Sequence, residues 1–436
     1  MRLRVFGLLA AVACVATPAI AADCGRGEQD VAGRVAACER LLAAPGVDDD
    51  TAAQARVILA ETYMDAGKLD AALAQAEVAV KLAPKQPVTL VTRGHALELL
   101  QRIDAALADY DTAIGIDPKN TMARVSRGLV RFARGDYEGA RRDYDAAIGV
   151  TADDPSIYVA RARVTYVLGE YGEALGDVRK AERLAKLEPQ EMGFKGALLQ
   201  SLGRLPEALA AYNAALKIEP RNVAILAGKG ALLFGMGLDQ EGETAFRAAQ
   251  RAEPDNPLGY VGLAEFQLDA GATAQAKATY EALLKRQPTN AEGRKGLADV
   301  LIVMDQPDQA LAILDDLIKA NPDVAVLHVM RGRAWSKKAD EGRAFAEYDK
   351  AVVLEPQSID ALYARGVAHA LAKRHAQALK DLDALLKLDE ADAAALWWRA
   401  GVRQALGDAA GAKADRDAAQ KLAPDMVAQM DKSFGS

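Results

Sequence analysis

The chain has 436 residues, of which 51% are hydrophobic and only 5% aromatic, and its 54 basic and 61 acidic residues give a net charge of −7. A composition rich in alanine and poor in aromatic residues favours closely packed helices over sheets. The charges are spread along the chain without a basic block, which excludes the clustered cationic surface that a nucleic-acid-binding protein needs.

Residues 1–22 form a predicted targeting segment, a signal peptide. Two arginines precede an apolar run over 5–15, and a cluster of small residues follows, so cleavage is expected after Ala21 or Ala22. Such a short, alanine-rich segment is typical of bacteria and predicts a periplasmic or secreted protein. Two alternatives stay open: an uncleaved membrane anchor, and a lipoprotein anchored at Cys14. No later stretch is long and apolar enough to span a bilayer.

Residues 23–52 hold one predicted helix and the two cysteines that would remain after cleavage. These are Cys24 and Cys38, with residues 25–37 between them. In an oxidising compartment they are expected to form a disulfide, which would contribute on the order of 3 kcal/mol by closing the loop between them. The alternative is that they are two unrelated buried small residues.

From residue 53 to residue 426 the sequence repeats every 34 residues without a gap. The eleven repeats begin at residues 53, 87, 121, 155, 189, 223, 257, 291, 325, 359 and 393. Their eighth and twentieth places are always glycine or alanine, the twenty-fourth is aromatic in six repeats, and a proline ends eight of them. The length accommodates two helices of about 13 residues with short turns, and small residues let the two backbones approach. We therefore predict antiparallel helix pairs, with aromatic rings filling the space between neighbouring repeats.

This pattern resembles the tetratricopeptide repeat (TPR) family, which has small, aromatic and proline residues at those places. The resemblance covers 374 of the 436 residues. It implies an all-α, right-handed superhelical solenoid of about eleven tandem 34-residue antiparallel helix pairs. Residues 53–426 would form one continuous body, with 23–52 as an N-terminal capping helix and 427–436 as a tail. Repeats three, four and ten lack the terminal proline, which predicts altered turns there.

No motif for a nucleophile, a phosphate-binding loop or a zinc site occurs, and the four histidines are scattered. We therefore predict no enzyme activity, no metal and no cofactor. Some family members hold a terminal carboxylate through lysine and asparagine at the fifth and ninth places. The first two repeats have Val57 with Glu61 and Val91 with His95 there, so that mode of binding is not expected.

The resemblance also implies a binding surface, because the second, fifth, ninth, twelfth and thirteenth places of the family face a concave groove. Carrying these places over selects a mixed set of aromatic and charged residues: His95, Phe132, Arg163, Tyr166, Phe234, Glu265, Asp269, Lys295, Asp299, Arg333, Lys337, Tyr363 and Trp397. Aromatic residues with arginine on one face are typical anchors for a docked peptide or helix. Alternatively, Lys295 and Asp299 pair within their helix, the aromatic rings pack between repeats, and Trp397 and Trp398 cover the end of the array.

We expect, therefore, a periplasmic or secreted scaffold that binds a partner protein or peptide in the groove. The alternative is a structural subunit of a cell-envelope assembly, secretion or polysaccharide-export machine. Nucleic acid is not an expected partner, and the mature chain is expected to have no membrane span.

Overall fold

The computed structural model describes Cys24 and residues 30–434, so the predicted targeting segment and its cleavage site lie outside the described residues. The described part is all-α, with 24 helices and no strand. It divides into two compact halves, an N-terminal half that ends at Pro220 and a C-terminal half that begins at Arg221. Among these helices, none combines the length and apolar character that crossing a membrane requires.

The N-terminal half contains eleven helices. They are α1 (Val31–Ala43), α2 (Asp49–Asp65), α3 (Leu69–Leu82), α4 (Pro87–Leu99), α5 (Ile103–Ile116), α6 (Thr121–Ala133), α7 (Tyr137–Ile148), α8 (Pro155–Val167), α9 (Tyr171–Leu184), α10 (Pro189–Ser201) and α11 (Leu205–Ile218). From α2 onward they pack as adjacent pairs, and each pair is one 34-residue repeat. Helix α1 precedes the first pair and packs against α2.

The C-terminal half contains thirteen helices. They are α12 (Val223–Gly235), α13 (Asp239–Ala252), α14 (Leu258–Asp269), α15 (Thr273–Arg286), α16 (Ala291–Val303), α17 (Pro307–Ala320), α18 (Ala325–Lys337), α19 (Glu341–Leu354), α20 (Ile359–Leu371), α21 (His375–Leu388), α22 (Ala393–Ala405), α23 (Ala409–Leu422) and α24 (Pro424–Phe434). They again form adjacent pairs, and the extra helix α24 packs against α22 and α23.

The turn inside each helix pair uses one left-handed residue at the fifteenth place of the repeat. All eleven repeats have a positive φ there, and seven of them supply glycine, such as Gly135 with φ 80°. Glycine adopts this conformation without the steric cost that a Cβ brings. Four repeats use another residue, including Ala339 with φ 57°.

Five of the six eighth-place glycines face the aromatic ring at the twenty-fourth place of the same pair, and the sixth, Gly366, faces Leu382. A Cβ on Gly128 would lie 2.8 Å from Tyr144 Cε1, and one on Gly332 would lie 2.4 Å from Tyr348 Cε1. Glycine at the eighth place therefore makes room for an aromatic ring. The prediction that it lets two helix backbones approach each other is corrected. The same type of ring also reaches the next repeat, because a Cβ on Gly262 would lie 2.2 Å from Phe246 Cε1. The prediction that rings fill the space between repeats is confirmed there.

Altered turns occur in two of the three repeats that lack the terminal proline. In the third repeat α7 ends at Ile148, and in the fourth the residue after α9, Ala185, is fully extended. In the tenth repeat Asp389 has φ −138° and ψ 96°, close to the values at Asp117, which precedes a proline. That repeat ends in the ordinary way.

The two cysteines of the N-terminal segment are both buried, and they share one small apolar cluster with Ile58 and Leu59 of α2. Cys38 Sγ lies 3.5 Å from the carbonyl oxygen of Cys24. The chain thus brings the two residues next to each other, and the disulfide stays a prediction.

Candidate functional site

Three first helices of consecutive repeats in the C-terminal half, α14, α16 and α18, line one pocket of about 260 Å³. Each helix contributes a stripe spaced as one helical face. The lining residues are Val261, Glu265 and Leu268 from α14, Glu292, Lys295, Gly296 and Asp299 from α16, Val326, Met330 and Arg333 from α18, and Tyr280 from α15. The pocket brings together four residues that the family places selected: Glu265, Lys295, Asp299 and Arg333.

Tyr280 reaches the pocket because α16 has a glycine beside it. A Cβ on Gly296 would lie 2.2 Å from Tyr280 Cζ and 2.5 Å from its hydroxyl oxygen. The tyrosine itself is only 2% exposed. A larger residue at position 296 would therefore displace the ring that separates the pocket from the core.

The charges of the pocket are only partly paired. Arg333 Nη1 donates to Asp299 Oδ1 at 3.1 Å, an ion pair between consecutive repeats, and the intrahelical pair of Lys295 with Asp299 is not formed. Burial raises the pKa of the Glu265 carboxyl, Lys295 opposes that shift, and Glu292 adds to it. Burial also raises the pKa of Tyr280, and the surrounding carboxylates raise it further.

Four models of tetratricopeptide repeats match the chain, over residues 89–120, 125–189, 196–237 and 267–331. The segment 89–120 coincides with the helix pair α4–α5, and the other three segments each begin within the first helix of a repeat and run on into later helices. The chain is a tetratricopeptide-repeat protein. The match over 267–331 includes α16 and most of the pocket.

Solved structures of other TPR proteins resemble the chain at low sequence identity. A tetratricopeptide repeat protein from Parabacteroides merdae is 18% identical with a TM-score of 0.46, and the match covers 57% of this chain and 98% of that one. Yeast Tom70 is 15% identical with a TM-score of 0.48, covering 88% and 94%. Pseudomonas aeruginosa PilF is 17% identical with a TM-score of 0.46, covering 51% and 99%. Among curated proteins no match was found. The similarity of this chain to these structures is limited to the fold.

Two further candidate residues lie beside the pocket of this TPR protein. Asp269, at the end of α14, is exposed and contributes to the negative charge around Glu265. Lys337, at the end of α18, is exposed and lies 3.8 Å from Asp305. Both residues are accessible at the edge of the pocket.

Three aromatic candidates of the C-terminal half pack against other rings. Phe234 is stacked on Phe266 of the next TPR repeat. Tyr363 packs against the core cluster that contains Trp397 and Trp398. Trp397 itself is only 6% exposed.

The prediction that Trp397 lies on a binding surface is therefore corrected. Its Nε1 donates to Asp431 of α24 at 2.8 Å, and the Arg416 guanidinium lies 5.4 Å from its ring centre. Helix α24 covers this tryptophan. The alternative, that the tryptophans themselves cover the end of the array, is corrected as well, because Trp397 and Trp398 pack in one core cluster with residues of α24.

The four candidates of the N-terminal half lie on α4, α6 and α8. His95 Nε2 lies 2.7 Å from the Ser126 hydroxyl, and burial lowers the pKa of His95 to about 4. Phe132 packs edge-on against Tyr137 at 5.6 Å. His95 thus contacts the next repeat, whereas the ring contact of Phe132 with Tyr137 lies within its own repeat and not between repeats.

Tyr166 and Arg163 lie on α8. The ring of Tyr166 is 5.3 Å from that of Tyr171 and 5.6 Å from that of Phe194 in the next TPR repeat. Both Tyr166 and Arg163 stay partly exposed. Their role in binding stays a prediction.

An ion-pair ladder was missed by the sequence analysis. At the seventh place of six TPR repeats an arginine bonds to a carboxylate 16 residues later, which is buried in five of them and half-buried at Glu347; the arginines are Arg93, Arg127, Arg161, Arg331, Arg365 and Arg399. Arg365 is typical: it donates to Asp381 at 2.7 and 2.8 Å and to Asp349 of the preceding repeat at 2.9 Å. In the sequence, these arginines have an acidic residue 16 positions before them and another 16 positions after them, and this repeated spacing was the available signal.

Proposed function

We propose that this TPR protein is a protein-interaction scaffold that holds a segment of a partner protein across α14, α16 and α18. The observation that carries the proposal is the pocket itself, in which three consecutive helices combine apolar walls with charged residues. A few apolar contacts with a small number of placed polar groups are what a specific binding site needs. The partly exposed Val326 at its edge offers an apolar contact to an incoming chain.

We further propose that the protein works in the periplasm or outside the cell, after cleavage behind Ala21 or Ala22. The support is the charge and apolar pattern over residues 1–22. In such a compartment the adjacent Cys24 and Cys38 would be oxidised to a disulfide. Alkylation of the unreduced protein, followed by mass spectrometry, tests this: two modified thiols would contradict both the disulfide and the oxidising location.

Site-specific photocrosslinking in the native host tests the scaffold proposal. A benzophenone amino acid replaces Val326, which lines the pocket and is 37% exposed, or Val353 on α19, which is 77% exposed. We expect a discrete crosslinked protein from position 326 and none of the same mass from position 353. The control is stringent, because the more exposed position would capture more random encounters.

A second variant links the crosslink to the pocket. Glu265→Lys reverses one charge in the lining of the pocket, at an exposed residue that is not part of the buried core. We expect the crosslink from position 326 to disappear while the far-ultraviolet circular dichroism stays unchanged. A crosslinked product of equal yield in both backgrounds, or equal products from positions 326 and 353, would contradict the proposed binding surface.

A further inference from the structure

We infer that the pocket accepts a lysine or arginine side chain of the partner segment, an inference that rests on the proposed function and specifies its ligand. The occupant would place its aliphatic stem between the apolar walls and its charged end beside Glu265 and Tyr280.

The first support is the balance of charge. Four carboxylates, of Glu265, Asp269, Glu292 and Asp299, act on the Tyr280 hydroxyl. Two cations, Lys295 and Arg333, and three of these carboxylates, of Glu265, Glu292 and Asp299, line the pocket, so its lining has a net charge of −1. Coulombic attraction at such a partly dehydrated site is stronger than in bulk water.

The second support is how these charges are paired. Arg333 is committed to Asp299, which leaves Lys295 facing the other three carboxylates. No ion pair within 4.0 Å involves Lys295 or Glu265 in the described part of the chain. Glu265 therefore remains available to a cation that comes from outside, whereas an acidic side chain would meet net repulsion.

The third support is independent of charge and comes from the Tyr280 hydroxyl. The hydroxyls of Tyr110 and Tyr348 are each 3.1 Å from a polar side chain at the twelfth place of their repeat, Glu98 and Ser336. In the repeat of Tyr280 the twelfth place is Leu268, which offers no hydrogen bond. Tyr280 is 2% exposed, makes no hydrogen bond within the described residues and lines the pocket. The hydroxyl oxygen therefore offers an unused acceptor to a group that enters the pocket, and an ammonium or guanidinium group donates to it.

The walls complete the match to a long cationic side chain. Val261, Leu268, Val326 and Met330 surround the charged residues with apolar surface. Lysine and arginine bury their methylene stems along apolar surface while the charged end makes polar contacts. A short polar cation would leave these walls in contact with water.

A positional-scanning library tests the inference. The purified chain is immobilised and offered pools of heptapeptides with one defined central residue and randomised flanks, the central residue being lysine, arginine, norleucine or glutamate. Norleucine keeps the aliphatic stem of lysine and removes only the charge. We expect the lysine and arginine pools to be retained at least tenfold more than the norleucine pool, and the glutamate pool least.

Three variants connect that preference to the pocket. Glu265→Gln and Tyr280→Phe should each reduce retention of the lysine pool about threefold to tenfold and leave the norleucine pool unchanged. Tyr280→Phe keeps the ring in the core, so the fold is preserved. Glu241→Gln, on α13 outside the pocket, makes the same change of charge and should have no effect.

Several results would overturn the inference. Equal retention of the lysine and norleucine pools, or greatest retention of the glutamate pool, would show that no cation is recognised. Free 1,5-diaminopentane that binds as tightly as the selected lysine peptides would assign the pocket to a small amine and not to a protein segment. The scaffold proposal has its own test, since it fails when position 326 yields no specific crosslink or when the charge-reversal variant leaves that crosslink unchanged.

Discussion

Gly128→Ala adds one methyl group where the structure has no room for it. The new Cβ would lie 2.8 Å from Tyr144 Cε1 and 3.0 Å from Cζ, whereas carbon atoms in favourable contact are about 3.5–4.0 Å apart. Tyr144 is 1% exposed, so its ring cannot move without displacing its own neighbours. Overpacking of this kind costs about 1–3 kcal/mol. It outweighs the roughly 0.5–1 kcal/mol that alanine gains over glycine in a helix interior.

A matched control isolates the contact with the ring. Gly176→Ala makes the same change in helix α9, where no atom would lie within 4 Å of the new Cβ. We expect Gly176→Ala to stabilise the protein by about 0.5–1 kcal/mol and Gly128→Ala to destabilise it by about 1–2 kcal/mol. Urea unfolding followed by circular dichroism gives both values. Hydrogen exchange should place the loss in α6 and α7, because stability in a repeat array is nearly local.

A double variant completes the test. Gly128→Ala with Tyr144→Leu recreates the combination of Ala298 and Leu314 that the eighth repeat already uses. The two changes should therefore be non-additive, with a coupling of at least about 1 kcal/mol in favour of the double variant. Strict additivity, or equal stability of Gly128→Ala and Gly176→Ala, would refute the idea that these glycines exist to accommodate rings.

Three further outcomes are expected. Asp381→Asn should destabilise the protein by about 3 kcal/mol, because it leaves the buried end of Arg365 without its bidentate partner. Asp349→Asn, at the exposed partner of the same arginine, should change the free energy of unfolding by under about 0.5 kcal/mol. Equal effects of the two variants in urea unfolding would contradict the structural role of these ion pairs. Ala339→Gly should raise stability by about 0.5–1 kcal/mol by relieving a left-handed backbone, and a lower thermal midpoint would argue against that strain. The pKa of His95 is lowered to about 4 in the fold, below its unfolded value of about 6.5, so its stabilising effect is complete above pH 6.5 and is lost as the pH falls towards 4. Unfolding at pH 5 should therefore be easier than at pH 7.5 by about 2 kcal/mol more than in His95→Gln, and identical pH slopes for the two proteins would contradict the burial of the neutral ring.

The helices and their pairing were predictable because they depend on short, repeated signals. Prolines, Asn and Asp caps and the 34-residue period mark the ends of each helix, and Asn120, for example, accepts a hydrogen bond from Ala123 N at 2.8 Å. The pairing of Gly128 with Tyr144 was also present in the sequence, since five of the six aromatic twenty-fourth places accompany a glycine at the eighth. Only the structure showed the reason for this pairing, which is that the glycine leaves space for the aromatic ring.

The sites were less predictable, because family places say which side of a helix a residue occupies and not what covers it. Trp397 stands at a groove place, yet α24 packs over it and buries it. Asp299 shares its helix face with Lys295 and still pairs with Arg333. Whether Asp299 pairs with Lys295 or with Arg333 depends on how α16 packs against α18, and no local sequence pattern specifies that packing.

By itself, the sequence determined that this protein is an all-α TPR array, that its helices pair within a 34-residue period, and which places are small or aromatic. These features follow from contacts within about one helix pair, which the period repeats in every copy. Only the tertiary structure decided that Glu265, Tyr280, Lys295 and Arg333 meet in one pocket, and that six arginines each reach a carboxylate on the second helix of their own repeat. Such contacts depend on how antiparallel helices and successive repeats align. A long side chain has several possible partners within reach, and the packing of the helices determines which of them it contacts.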